Sequence, residues 1–172
     1  MYKTELQKMM GQYYDTALIE KLEDMGFFYA PASTKFHGAY KGGLFEHSFE
    51  VMRQLVQLTE KESLLWENPR SPYYIGLLHD LCKVDQYDMS LDGKISWNPN
   101  QEFNGHGEKS VILCLVKLDL VLTDEETMCI RWHMGAFDEK DNWRKFTDAI
   151  KQYPNVLWTH TADMIASHVK GV

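Results

Sequence analysis

Apolar residues recur at helical spacing along most of the chain. From Thr4 to Met25, the positions Leu6, Met9, Met10, Tyr13, Tyr14, Ala17, Leu18, Leu22 and Met25 share one helical stripe, and Gly26 follows as a stop. The spacing predicts a single packing helix there. Phe27 to Gly43, with Pro31, Gly38, Gly42 and Gly43, reads as a loop. Leu44, Ser48, Val51, Met52, Leu55 and Leu58 then mark a second helix that runs to about Lys61. Pro69 and Pro72 break the chain, and Pro72 suits the first turn of a third helix, Tyr73 to about Val84. A fourth helix opens at Gly105-His106-Gly107 and runs through Val111, Leu115 and Leu118. Thr123-Asp124-Glu125-Glu126 has the form of a capping box and opens a fifth, ending near Trp132-His133-Met134-Gly135. Asp141 to Gln152 predicts a short helix, and Pro154 opens the last, with Val156, Leu157, Ile165 and Val169 on its apolar stripe.

The period switches to strict alternation once. Tyr87, Met89 and Leu91 alternate, Asp92-Gly93 supplies a turn, and Ile95 and Trp97 alternate again before Asn98-Pro99-Asn100. This is the signature of a β-hairpin at about 87–97. A lone hairpin is marginal in water, so it is expected to lie against the helices. The pattern therefore predicts an all-α helical bundle with one small β-hairpin, built as a single domain over residues 1–172.

Composition narrows the function classes. The 172 residues are 44% hydrophobic and 25% charged, which suits one sizeable globular core. No apolar run is long enough to cross a bilayer, and the N-terminus lacks a charged-then-apolar leader, so a cytoplasmic location is the expectation. Cys82, Cys114 and Cys129 are widely spaced and form no Cys-x-x-Cys pair, which argues against a disulfide framework or a zinc knuckle. The net charge of −7 disfavours long nucleic acid as a partner. A phosphorylated substrate would have to be held locally, by metals and a few basic side chains.

The candidate chemistry centres on Gly76-Leu77-Leu78-His79-Asp80-Leu81-Cys82-Lys83. His79, Asp80 and Lys83 end an apolar run, and burying such groups unpaired costs several kcal/mol. Metal ions are the proposed partners. His47, His79, Asp80, His106, His133 and Asp163 are the candidate ligands, each set falling on a different predicted helix or at its end. Imidazole and carboxylate together suit Zn, Fe, Mn, Co or Ni. Six ligands exceed one tetrahedral site and could support two metals bridged by Asp80, with a hydroxide between the ions attacking phosphorus. With seven histidines in the chain, a His-Asp pair alone is close to chance; the joint pattern is what carries weight. His160, three residues before Asp163, and His37, ahead of the Gly-Gly loop, are candidates to touch substrate. His168 is expected to be solvated. Lys109 and Arg131 could bind phosphate, but charged residues at helix ends are more often simply exposed, and the Met and Trp residues read as core.

Gly42-Gly43-Leu44-Phe45-Glu46-His47-Ser48, Leu78-His79-Asp80-Leu81-Cys82-Lys83, His106-Gly107-Glu108-Lys109-Ser110, Trp132-His133 and His160-Thr161-Ala162-Asp163 together resemble the HD-domain superfamily of metal-dependent phosphohydrolases. The resemblance runs from about His37 to Ser167. It is closest in look to the HD module of bacterial 3′–5′ exoribonucleases, which open with a similar Gly-Gly-Leu-x-Glu-His. Those enzymes also carry an N-terminal OB-fold, for which the residues ahead of the resemblance are too few. The resemblance implies that His47, His79, Asp80 and Asp163 bind one metal, that His106 and His133 are the added pair of two-metal members, and that Lys83 contacts substrate phosphate. The implied cofactors are divalent metal ions, two in number, with Mn, Fe, Co, Ni, Zn and Mg not distinguished. Asp80 and Lys83 are the catalytic residues on this reading, and Lys83, His160 and His37 the substrate-binding ones. The expected activity is phosphohydrolase or phosphodiesterase action on a nucleotide or short oligonucleotide. The alternatives are a non-catalytic nucleotide- or metal-sensing module and a helical domain with a structural metal. Cys82 departs from the pattern, since a glycine usually stands there, and this bears on how Lys83 is presented.

Overall fold

The longest helix, α3 (Gly43–Glu62), is the element the others pack round in this computed structural model, which describes residues 2–172. Its buried stripe holds Leu44, Phe45, Val51, Met52 and Leu55, with His47 and Ser48 among them. Before it come α1 (Tyr2–Met10) and α2 (Thr16–Asp24). After it come α4 (Ser71–Leu78), a 3-10 turn (Leu81–Val84), strands β1 (Tyr87–Met89) and β2 (Ile95–Trp97), α5 (Gly107–Val116) and α6 (Asp124–Trp132). Short 3-10 turns at Gly135–Phe137 and Lys140–Asn142 lead into α7 (Trp143–Gln152) and α8 (Asn155–Met164), which continues as a π-helical segment, Ile165–Lys170. The fold is all-α with one antiparallel hairpin. α4 and α8 pack on α3, and α6 packs on both α8 and α5. One hydrophobic cluster runs through these elements, from Leu6 to Ala166. Among the described residues, no helix is long and apolar enough to cross a membrane.

The contact between α3 and α4 is unusually close. A Cβ added at Gly76 would lie 2.3 Å from Met52 Cα, so the two backbones touch where any other residue would hold them apart. Gly107 plays the same part between α5 and α6, where a Cβ would lie 2.1 Å from the Arg131 carbonyl oxygen.

Several expectations are corrected. The single N-terminal helix is two. Gly11 adopts φ +54°, and the Asp15 carboxylate accepts hydrogen bonds from the Ala17 and Leu18 N–H groups, capping a new helix in mid-stripe. The third helix stops at Leu78. Consecutive residues on a helix point about 100° apart, so His79 and Asp80 could not both face the interior without the turn that follows; Asp80 sits at φ −103°, ψ 20°. The hairpin strands are shorter than the alternation suggested and pair Tyr87 with Trp97, Asp88 with Ser96 and Met89 with Ile95. The hairpin is tied down at its base, where Asn98 donates to the Gln86 and Asp85 carbonyls, while Met89, Leu91 and Trp97 are exposed.

Lys109 is the sharpest reversal: it is 0% exposed, ion-paired to Asp85 and hydrogen-bonded at 3.0 Å to Gln101 Oε1. Its charge fastens α5 to the segments flanking the hairpin. Arg131 is likewise engaged, paired with Glu108 and Asp138 and lying over the Trp132 ring at 4.0 Å.

Candidate metal centre

The four histidines of the cluster sit near helix ends. His79 and His133 are the C-terminal caps of α4 and α6, His106 is the N-terminal cap of α5, and His47 lies in the second turn of α3. Carbonyls in the last turn of a helix lack intrahelical partners. His79 and His133 use them: each ring Nδ1 lies against the carbonyl three residues back, Gly76 at 2.9 Å and Ile130 at 2.7 Å. A carbonyl oxygen can only accept, so the proton is assigned to Nδ1 in both rings and Nε2 carries a lone pair. His47 Nδ1 donates in the same way to the Val172 carbonyl at 2.9 Å.

These fixed rings direct Nε2 inward. His79 Nε2 lies 3.2 Å from His47 Nε2 and 3.6 Å from Asp80 Oδ2. His133 Nε2 lies 3.3 Å from Asp80 Oδ1 yet is buried without a hydrogen-bond partner. A lone pair aimed at a carboxylate oxygen is an unfavourable arrangement that a cation reconciles. His106 Nε2 lies 2.8 Å from Asp80 Oδ1, and His47 Nε2 lies 3.2 Å from Asp163 Oδ1 and 3.4 Å from Asp80 Oδ2. Three overlapping triads have ligand atoms within 4.8 Å of one another: His47-His79-Asp80, His79-His133-Asp163 and Asp80-His106-His133. The donor set of imidazole nitrogens and carboxylate oxygens fits a divalent ion of the borderline class.

The charges of the cluster are strongly coupled. Burial lowers the affinity of His47 for a proton, but hydrogen bonds to Asp163 and Asp80 outweigh it and raise its pKa to about 9. Burial is the largest influence at His79 and outweighs the nearby Asp80 carboxylate, so its pKa is pushed down to about 3. Burial opposes the charge on Asp80, but the Lys83 ammonium, helped by the hydrogen bond from His106, overrides it and holds the carboxyl well below the usual carboxylate range. Lys83 Nζ lies 2.6 Å from Asp80 Oδ2; burial disfavours its charge, the Asp80 carboxylate more than compensates, and its pKa is raised.

A cavity of about 500 Å³ opens on this cluster through Asp80, Lys83, His106 and Asp163. His37 lines it, with its ring 5.0 Å from the His47 ring. Burial, then the nearby charges of His47 and Lys83, push the His37 pKa down, so the ring is neutral. His160 stands outside the cavity lining. Its Nδ1 donates to the His133 carbonyl at 2.7 Å and its ring packs against Gly135 and Phe146. It supports the backbone behind His133 and is not part of the cavity lining. His168 is exposed but borders the cavity, its ring 6.0 Å from that of Phe137. Cys82 is buried with its sulfur 3.5 Å from His106 Nδ1 and 4.0 Å from Nε2, so the thiol rests against that ring in space a glycine would leave open.

The sequence pattern missed the cavity walls. Phe36, Met134 and Phe137 lie in or beside irregular segments, where hydrophobic period carries no information. The usable signal was adjacency: Phe36 precedes His37 and Phe137 follows His133 by four residues.

The comparisons with known proteins agree with this centre. The family model for the HD domain matches residues 44–166, a span that contains all six residues of the cluster. No curated protein and no solved structure matches the chain. HD domains are generally metal-dependent hydrolases that bind divalent metal. With most of its length covered by that match and its histidines and aspartates gathered at one point, the chain belongs to the HD-domain family.

Proposed function

We propose that the protein is a phosphohydrolase or phosphodiesterase that cleaves a phosphate ester of a small nucleotide or short oligonucleotide, using two divalent metal ions. The observation that carries this reading is the way Asp80 divides its carboxylate. Oδ1 faces His106 and His133, whereas Oδ2 faces His47, His79 and Lys83. A carboxylate with an imidazole pair at each oxygen is suited to bridge two cations. Such ions supply Lewis-acid charge to the phosphate oxygens and an activated water.

The chain's own residues then position the ester. Lys83 borders the cavity and is held charged by Asp80, so its ammonium neutralises charge that develops on the phosphate. The neutral His37 ring offers one N–H and one lone pair beside it. His160 keeps His133 in place from behind through the backbone. Lys83 is the one lysine or arginine among the described residues lining the cavity, which suits a single phosphate group better than a polyphosphate. Long RNA or DNA is held by a run of phosphate contacts, and neither this cavity nor a net charge of −7 favours that. The volume of about 500 Å³ lies within the range of small-molecule sites. Small nucleotides are therefore the favoured substrates over RNA ends.

The test is metal content and phosphate release. Elemental analysis of purified protein supplemented with Mn, Fe, Co, Ni, Zn or Mg should find bound divalent metal, and a panel of phosphorylated nucleotides should reveal turnover. Asp80→Ala and the milder Asp80→Asn should each lose metal and activity. Wild-type protein that retains no divalent metal under any supplement would end this reading.

A further inference from the structure

Two phenylalanines stand exposed at the rim of the cavity that opens on the metal cluster. Phe36 is 79% exposed and Phe137 is 60% exposed, and both border the cavity. A single exposed aromatic ring is ordinary on a protein surface. Two at the rim of one cleft, above Met134 and Met164 and a charged floor, form a surface with an apolar top and a phosphate-directed base.

Each ring is held on a short leash to the cluster. Phe36 is followed by His37, whose ring lies against His47. Ser33 clamps this loop: its hydroxyl donates to the His37 carbonyl and accepts from the Phe36 N–H, both at 2.9 Å. Phe137 lies four residues beyond His133 in a 3-10 turn closed by its own N–H on the Met134 carbonyl at 3.0 Å. Its ring stacks at 28° on His168. The next residue, Asp138, is fixed by Arg131. Neither ring is therefore carried on a freely moving segment.

Several polar groups of the walls are already engaged. Ser33 is spent within its own loop, Ser167 donates to the Asp163 carbonyl, and Gln86 donates to the Tyr87 hydroxyl. A planar ring entering this cleft meets faces to stack on. Every nucleobase has a π-face, so stacking tolerates all of them.

We infer that Phe36 and Phe137 hold the base of the substrate by stacking, with little discrimination among bases, while Lys83 and the metal cluster hold its phosphate. This rests on the nucleotide phosphohydrolase reading above. It assigns the two phenylalanines as substrate-positioning residues and makes the protein a base-tolerant enzyme.

The test is calorimetric binding to metal-loaded protein of non-hydrolysable methylenephosphonate analogues of the four nucleoside 5′-monophosphates, with inorganic phosphate as the ring-free probe. Both residues are at the surface, so their alanine variants should fold. Phe36→Ala and Phe137→Ala should each weaken the analogues by about 5- to 150-fold, the range of base-stacking losses, and leave inorganic phosphate unchanged. Phe137→Trp should restore binding. The four analogues should bind wild-type protein within about tenfold of one another. If neither the analogues nor inorganic phosphate bind metal-loaded wild type, the phosphohydrolase reading itself fails. If the analogues bind but the alanine variants match wild type, or one base is strongly preferred, the inference fails while the phosphate site stands.

Discussion

Replacing Gly76 by alanine should damage the metal centre from a position that contributes no ligand. The new Cβ would lie 2.3 Å from Met52 Cα and 2.6 Å from Met52 N. Ordinary contact between carbon atoms needs about 3.5–4.0 Å, so α4 must move away from α3 by about 1 Å or more. Both close contacts are to backbone, and no rotamer change relieves them. Forced overpacking of this kind costs about 1–3 kcal/mol, occasionally more. For a chain of this size each kcal/mol shifts Tm by about 2–4 °C, which gives a fall of about 2–12 °C. The site suffers more than the fold. Gly76 supplies the carbonyl that fixes the His79 ring, and α3 carries His47, whose Nε2 lies 3.2 Å from that of His79. Metal–ligand distances tolerate about 0.2 Å, far less than the separation required. Gly76→Ala should therefore keep a cooperative melt at reduced Tm yet lose bound metal, as read by differential scanning calorimetry and elemental analysis of the same sample. Wild-type Tm with full metal content would refute the close-packing argument.

Other consequences are as direct. Lys109→Met leaves the Asp85 carboxylate, part-buried beneath the hairpin, without its cation; breaking a buried pair costs about 3–5 kcal/mol, and because Asp85 is partly exposed the loss in urea unfolding should fall at or below that range. Burial pushes the thiols of Cys114 and Cys129 up in pKa, so in native protein both should resist labelling by a thiol reagent at pH 8 and react fully in guanidinium. Asp138 is held below its ordinary pKa: burial opposes, but hydrogen bonds from Arg131 and Asn142 prevail. A carboxyl with a depressed folded pKa stabilises above its unfolded value, near 3.8, and loses that contribution as pH falls through the folded one. Asp138→Asn should thus lower stability at pH 7, and the difference from wild type should shrink on acidification below pH 4.

Much of this architecture was legible in the sequence, for physical reasons. Histidines and an aspartate set into apolar stripes must find partners, so their types and separations announced a shared site before any distance was known. The structure brings His47, His79, Asp80, His106, His133 and Asp163 within reach of one another. What periodicity could not show is where a helix ends for the sake of a site. The apolar stripe continues past Leu78, yet the chain turns so that His79 and Asp80 can both face inward. Nor could it show that Lys109 is internal, because its partner Asp85 lies across the fold and 24 residues away in sequence. Helical spacing places His160 on one face with Asp163, but it cannot show the contact the ring makes, which is with the His133 carbonyl beside Gly135 and apart from the cavity lining. The rim residues Phe36 and Phe137 obey no period at all.

Placing the histidines near helix ends bears on how long the protein lasts in a cell. Helix ends are where a folded chain opens first, and proteases cleave what opens. Divalent ions held by this cluster would tie α3 to the ends of α4, α5 and α6 and so restrain several of these frays at once. At free metal a hundredfold above Kd this adds about 2.7 kcal/mol to the folded state. Metal supply should therefore govern abundance as well as turnover rate, and cells starved of the preferred ion should clear the protein by degradation.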